Sequence, residues 1–449
     1  MQSRSLALIA ILLLPASGAL AADDLVDVYQ TAQQADPVFQ QAKANLKAVE
    51  EAVPQARAGL LPDIRATGNY DRVDREQTTQ ATTQTINDNA YSYGVRLTQP
   101  VFRYDRIQQL DQAEARVAQA KAELAAARQD LFLRVAERYF AILDAREALA
   151  AAEAEKRAVK RQLEQAEQRF EVGVIARTDV EEAQSRFDLA SADVIDARNE
   201  VRNARERLRE ITGRSPATLE ELRADVALSA PKPDDEASWR ERAVARNNQL
   251  AAAKDAASAA MENIDVERGG YYPDVDVVAQ YNKSDRPGTF GSETDDATIG
   301  VEVEVPLFQG GATNSRVREA QARYTEAREQ LKERRRRVVR ASSDAYRGVK
   351  TALQRLRALD QARTSTRSAL DATKAGFDVG TRTIVDVLDA QRELFGAERD
   401  YQQARHAYLL NTLRLKEAAG QLSQDALAEV NTLLVEDREE KTPAKLERD

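Results

Sequence analysis

Thr298-Ile299-Gly300-Val301-Glu302-Val303-Glu304-Val305-Pro306-Leu307-Phe308 decides the architecture, because Ile299, Val301, Val303 and Val305 alternate with Thr298, Gly300, Glu302 and Glu304. Period two with one apolar and one polar face is the pattern of a half-buried strand. Earlier in the chain the pattern is already present: Tyr91, Tyr93, Val95 and Leu97 alternate with Ser92, Gly94, Arg96 and Thr98 before Gln99-Pro100-Val101-Phe102. Each strand has an upstream partner, with Ile64, Ala66, Gly68 and Tyr70 in the first pair and Val275, Val277, Ala279 and Tyr281 in the second. The polar segments Gln77–Asn89 and Ser284–Asp296 read as the loops between them. Strands of roughly 10 residues with one apolar face have the length and dyad signal of an outer-membrane barrel, on which Glu302 and Glu304 cannot face lipid. Four strands do not close a membrane barrel, since about eight is the smallest number that does and open edges leave unpaired backbone groups in lipid. Either several chains pool their hairpins, or the hairpins are soluble and pack their apolar faces on helices.

The strand pairs belong to a duplication. Gly59-Leu60-Leu61-Pro62-Asp63-Ile64 returns as Gly270-Tyr271-Tyr272-Pro273-Asp274-Val275, and Phe170-Glu171-Val172-Gly173 returns as Phe377-Asp378-Val379-Gly380. Asp179-Val180 is matched by Asp386-Val387, and Leu208–Gly213 by Leu415–Gly420, always in the same order. Two long copies read as one duplicated unit rather than a solenoid. The first copy occupies 22–213, with a leading helical segment, strands 63–73 and 90–102 and a helical hairpin 103–211. After a Pro- and acid-rich connector at 214–236, the second occupies 237–420, with strands 274–283 and 297–308 and a helical hairpin 312–420. Residues 421–449 form a C-terminal segment with a charged tail.

The hairpins are too long for a globular core. From Val101 to Val172 there is no Gly or Pro, enough for a helix of roughly 100 Å at about 1.5 Å per residue. Its seam is heptad-like: Leu110, Val117, Leu124 and Leu131 recur every seven, with Ala113, Ala120 and Ala127 between them, so large and small residues alternate along one stripe. A returning helix is expected over about Thr178–Ile211, and the second copy repeats the pair as Ala312–Val379 and Thr383–Gly420.

Composition and the N-terminus narrow the function. The 449 residues contain no Cys and one His, which excludes a disulfide framework, a thiolate zinc site, a Cys nucleophile, an acylated N-terminal Cys and a multi-His metal site. A net charge of −9 gives no reason to expect nucleic-acid binding. Arg4, the apolar run Leu6–Leu14 and Ala19-Leu20-Ala21 read as a signal peptide over 1–21. No later stretch approaches the roughly 20 apolar residues of a spanning helix, so any membrane insertion is by strands. No catalytic residue, metal or cofactor is expected.

Outer-membrane-like hairpins joined to such helices resemble the TolC family of outer-membrane efflux and export channels. The residues carrying the resemblance are Tyr29-Gln30-x-Ala32 through Asp36-Pro37, the strand exits Gln99–Phe102 and Val305–Gly311, the turn Arg169-Phe170-x-Val172-Gly173, and the run Ala375–Ala390, over about Asp24 to Leu434. The resemblance implies a mixed α/β membrane protein: a homotrimer whose twelve-stranded β-barrel, four strands per chain, is continued by a long periplasmic α-helical barrel, with residues after 420 in an equatorial segment. It implies residence in the outer membrane of a Gram-negative bacterium and passive conduction of drugs, toxic small molecules or secreted proteins. The implied setting is a multidrug-resistance pump or a type I secretion system, with a periplasmic adaptor and an inner-membrane transporter of RND, ABC or MFS type as partners. Arg96, Glu302 and Glu304 are expected to face the lumen. Val172-Gly173 and Val379-Gly380 are the expected tip turns. By the resemblance, Thr178, Asp179, Phe377, Arg382, Asp386 and Asp389 form the periplasmic gate, with Arg382 linked to Thr178 and Asp179 and the two later aspartates ringing the entrance. The family's tyrosine is Phe377 here, without a hydroxyl. Thr178-x-x-Glu181 and Thr383-x-x-Asp386 also read as capping boxes. An exported structural or adhesive coiled-coil protein without a pore is the alternative.

Other features have plainer readings. Arg334–Arg337 reads as a solvated helix face, His406 as a surface or groove residue, Trp239 as a hydrophobic contact, Gly310-Gly311 as a strand-to-helix bend, and Glu436–Asp449 as a disordered tail.

Overall fold

The computed structural model describes residues 23–78, 83–214, 218–223, 226, 228–286 and 292–435. The signal peptide and the tail Glu436–Asp449 lie outside the described residues.

Each half begins with short helices: α1 (Leu25–Ala35), α2 (Pro37–Glu50) and α3 (Ala52–Ala58) in the first, α6 (Glu236–Arg246) and α7 (Asn248–Arg268) in the second. Asp36 separates α1 from α2. Its carboxylate accepts from the Val38 and Phe39 N–H groups at 3.3 Å each, while Pro37, which needs no donor partner, occupies the first helical position. The strands are β1 (Asp63–Thr78), β2 (Thr83–Phe102), β4 (Asp274–Arg286) and β5 (Ser292–Glu304), forming one antiparallel sheet in the order β1-β2-β4-β5. All four reach further into the expected loops than alternation indicates, because beyond the apolar band both faces carry polar residues and the period-two signal vanishes while backbone pairing continues. At the opposite end the expectation of 297–308 is corrected. Val305–Phe308 lies outside β5 because a single chain offers nothing for it to pair with, whereas the equivalent Gln99–Phe102 pairs with β4.

The long helices are α4 (Tyr104–Glu171) and α8 (Ala312–Asp378), returning as α5 (Arg177–Thr212) and α9 (Ile384–Ala418). The 68 residues of α4 extend about 100 Å. Its seam packs as expected, with Ala113, Val117, Ala120 and Leu131 buried and Leu110, Leu124 and Ala127 half-buried. Helix α4 lies between α5, α7 and α9, and α8 packs on α7 and α9. Among the described residues no helix is long and apolar enough to cross a membrane. Gly310 and Gly311 adopt φ 63° and 83° just before α8, a left-handed bend that favours glycine.

The core sits halfway down the helices. Leu131, Phe132, Val135, Tyr139, Phe140 and Leu143 of α4 meet Tyr29, Phe39, Leu208, Leu413 and Leu427, each fully buried side chain contributing about 1.5–3 kcal/mol by area. Tyr29 stacks on Phe132 at 4.1 Å. The connector and C-terminal segment wrap this waist: β3 (Glu221–Leu222) pairs with β6 (Leu434–Val435), preceded by α10 (Gln424–Asn431). The Tyr139 hydroxyl donates to the Glu220 carbonyl at 2.8 Å. Trp239 makes the expected apolar contact and donates its indole N–H to the Pro233 carbonyl at 2.8 Å. His406 corrects its expectation. It is buried, with Nδ1 2.6 Å from Asp144 Oδ1 and its ring against Phe140, because α4 supplies a partner 262 residues away in sequence. Burial pushes the nearby Glu147 carboxyl up.

Candidate functional site

The candidate residues fall in two regions, the sheet and the helical tips. Register fixes the sheet's faces. Ile64 pairs with Leu97, Leu97 with Ala279, and Ala279 with Ile299; one row away, Val277 pairs with Val301 and Val275 with Val303. Tyr70, Tyr91, Tyr93, Val95 and Tyr281 continue the same face, all exposed. Arg96, Glu302 and Glu304 lie together on the other face. Arg96 reaches Glu302 at 3.6 Å across the intervening β4. The 13 residues of β5, tilted by roughly 40°, rise about 33 Å, enough for the apolar band of an outer membrane. A tyrosine row at one end and Phe102 with Tyr272 at the other bound this band as interfacial aromatics do. An exported coiled coil without a pore has no use for such a face.

At the tips, α4 and α8 end in the same device. Gly173 and Gly380 take φ 73° and 78°, donating to the Phe170 and Phe377 carbonyls at 2.9 and 3.0 Å, and so close the helices in the left-handed conformation glycine allows. Val172 and Val379 are left exposed beside them. Helix α5 starts two residues earlier than the Thr178 capping box requires. Ala176 is the N-cap, and its N–H donates to Asp179 Oδ2 at 3.2 Å. Thr178 is therefore inside the first turn, and Glu181 pairs with Arg177 at 3.3 Å instead. The second capping box forms as read: Asp386 N–H donates to Thr383 Oγ1 at 3.2 Å and Thr383 N–H to Asp386 Oδ2 at 2.8 Å. Those bonds from Thr383, and then Arg382, hold the Asp386 carboxyl below its ordinary range.

A cleft of about 260 Å³ between the tips brings Asp179, Phe377 and Arg382 together with Arg169. Within the protomer the polar links differ from those implied by the resemblance. Arg382, in the turn before α9, pairs with Asp386 of that helix at 3.9 Å rather than with Thr178 or Asp179. Asp389 pairs with Arg186 of α5 at 3.2 Å, so it is tied to the neighbouring hairpin although it shares a helical face with Asp386. Sequence reasoning missed two residues here. The Arg169 guanidinium sits 4.6 Å from the Phe377 ring, a cation–π contact between the two tips where the tyrosine hydroxyl is missing. Arg169 precedes Phe170 in the quoted turn, so that signal was available; Arg186 had none. Among the described residues no cluster could hold a metal ion.

Comparison with known proteins is consistent across the chain. The family described as outer membrane efflux protein matches residues 28–214 and again 239–421. The chain is 37% identical to the outer membrane protein TolC of Vibrio cholerae, covering 92% of this chain and 94% of that protein. To the outer membrane protein TolC of Escherichia coli it is 33% identical, covering 92% and 85%. The solved structure of CusC, whose study concerns folding and transmembrane channel formation, shares the fold with a TM-score of 0.77 at 17% identity, covering 89% of this chain and 92% of that one. With the family matched in both halves and the sheet presenting a continuous apolar face, this chain belongs to the outer membrane efflux protein family and is a non-enzymatic efflux and secretion channel of the TolC type, seated in the outer membrane of a Gram-negative bacterium.

Proposed function

We propose that three copies of the chain close one barrel. Four strands per chain then give twelve, above the closing minimum of about eight, and α4, α5, α8 and α9 continue them as a tunnel through the periplasm. The tunnel receives drugs, toxic small molecules or proteins from an inner-membrane transporter of RND, ABC or MFS type through a periplasmic adaptor and conducts them passively. The observation that carries this reading is the sheet: one face apolar, one face charged, and both outer strands, β1 and β5, unpaired at their edges, an arrangement lipid tolerates only after closure. The tips act as the gate, with Arg382, Asp386 and Asp389 beside the entrance and Asp179 and Phe377 in the cleft between the hairpins. The test is reconstitution of the purified outer-membrane protein in planar bilayers. A heat-modifiable trimer with stepwise conductance is expected; Arg382→Ser raises that conductance, and Asp386→Ala with Asp389→Ala weakens cation preference. A monomer that conducts nothing would refute the channel assembly, and wild-type conductance in both variants would move the gate elsewhere.

A further inference from the structure

The two hairpins are built in the same register, Asp63 facing Thr98 in one and Asp274 facing Glu304 in the other. Asp63–Arg75 of β1 thus correspond to Asp274–Arg286 of β4, and Ile86–Thr98 of β2 to Ser292–Glu304 of β5, with Gln99–Phe102 matched by Val305–Phe308 just past β5. The chain contains one seam between hairpins, β2 against β4, in which Leu97 faces Ala279, Val95 faces Tyr281, Arg96 faces Gln280 and, past a bulge, Phe102 faces Val275. Resting on the shared-barrel reading, we propose that β5 of one protomer pairs with β1 of the next in the duplicate of that register, Val303 opposite Gly68, Val301 opposite Tyr70, Glu302 opposite Asn69 and Phe308 opposite Ile64.

Four observations support this pairing over its neighbours. It keeps every apolar residue of β5 opposite an apolar-face residue of β1, whereas a slip of one residue inverts the faces. Exposure marks the same residues: Phe102, covered by β4 inside the chain, is 37% exposed, while its counterpart Phe308 is 88%, Leu307 92% and Ile64 66% exposed. A glycine stands at the same place in both seams. At Gly94 an added Cβ would lie 2.1 Å from Asn282 Oδ1 and 2.9 Å from the Tyr281 carbonyl, whereas its counterpart Gly300 has open space in the single chain. In the duplicate register Gly300 meets Asp71 of the next protomer, the counterpart of Asn282, so the glycine serves the assembly. Charge agrees as well. The inner seam is clamped by Arg103, 2.5 Å from Asp276 and 3.4 Å from Asp274; the counterparts Gln309, Arg65 and Asp63 lack that clamp, but Glu304 replaces Thr98 and stands diagonal to Arg65 of the next protomer, within reach of a long side chain.

The absence of cysteine makes the test direct. In the full-length protein in outer membranes, Val303→Cys with Gly68→Cys is expected to give, on oxidation, a covalent trimer in denaturing gels that reverts to monomer on reduction. Val303→Cys with Ala66→Cys or with Tyr70→Cys is expected to stay monomeric, because diagonal positions are too far apart for a disulfide. Gly300→Val is expected to leave the exported monomer folded while lowering the trimer fraction roughly tenfold or more, the scale of an overpacked contact. Cross-linking through a slipped pair, or a native trimer that Val303→Cys with Gly68→Cys does not link, would overturn the register and leave the shared barrel standing. A monomeric native mass with no linked pair would overturn both. Undiminished trimer from Gly300→Val would overturn the close approach of the neighbouring strand that this pairing expects at Gly300.

Discussion

Val301→Arg and Glu302→Arg place the same side chain one residue apart on β5 and should differ sharply. Val301 pairs with Val277, midway between the tyrosines and Phe102, so in the proposed barrel its substituent meets lipid near the centre of the apolar band. An arginine there costs about 2–4 kcal/mol per copy, and three copies in one trimer, if additive, about 6–12 kcal/mol, comparable with the whole stability of an ordinary domain. Glu302 lies on the charged face, where the change removes an exposed ion pair with Arg96 at 3.6 Å, a loss of roughly 0–1 kcal/mol. The smallest gap between the variants, about 1–2 kcal/mol per copy, still means roughly a tenfold difference in any per-copy equilibrium. Assembly can be read from the unheated trimer band in outer-membrane fractions at matched expression, and from the urea concentration that extracts the protein from vesicles. Wild-type-like trimer for Glu302→Arg and depleted trimer for Val301→Arg are expected. Equal yields, or the reverse order, would mean that the faces are assigned the wrong way round.

Removing the ring at Phe377→Ala should forfeit about 0.5–1 kcal/mol of cation–π energy with Arg169 along with its packing on Ile384, and so raise open probability in single-channel records. Thr383→Val should cost about 1 kcal/mol of helix capping and speed hydrogen exchange in the first turn of α9, while the rest of the helix keeps its protection. The Asp386 carboxyl is held below its ordinary range by the Thr383 bonds, so its contribution is present above the unfolded value of about 3.9 and lost as pH falls through the lower folded value. Acid should therefore fray α9 in wild type but add little in Asp386→Asn. Asp36→Ala should destabilise the waist by about 2–4 kcal/mol, read as a lower thermal midpoint, since it removes the α2 cap and leaves Arg134, now 2.6 Å from Asp36, without that partner.

Residues near one another in sequence made their structure legible, and residues that meet only through the fold did not. The strands were readable where one face is apolar and the other charged, as in Val301–Glu304, and unreadable beyond Val73 and before Ala90, where nothing distinguishes one face from the other. The tip turns and the Thr383 cap are local motifs and form as read, whereas α5 begins at Arg177 because Asp179 satisfies the Ala176 N–H before Thr178 can act as a cap. His406 looked like a groove residue because its partner, Asp144, belongs to the other half of the chain. Asp389 likewise had a readable helical face but an unreadable partner, Arg186, since which face of α9 meets α5 depends on how the hairpins pack. The uneven strand exits had the same cause: Gln99–Phe102 and Val305–Phe308 are near-copies in sequence, and only the chain's topology decides which of them finds a neighbour.

The near-equal lengths of α4 and α8, 68 and 67 residues, and of α5 and α9, 36 and 35, make the molecule a gauge block for the gap it spans. Inserting one residue in one helix would move everything below it by about 1.5 Å and rotate it by about 100°, turning its small-residue stripe away from its neighbours. An insertion of seven residues nearly restores the facing, with a drift of about 20°, but lengthens that helix alone by about 10.5 Å and puts the two tips out of level. Length can therefore change only in matched heptads, in all four long helices together. Relatives fitted to thicker or thinner envelopes should differ by such steps and not by single residues.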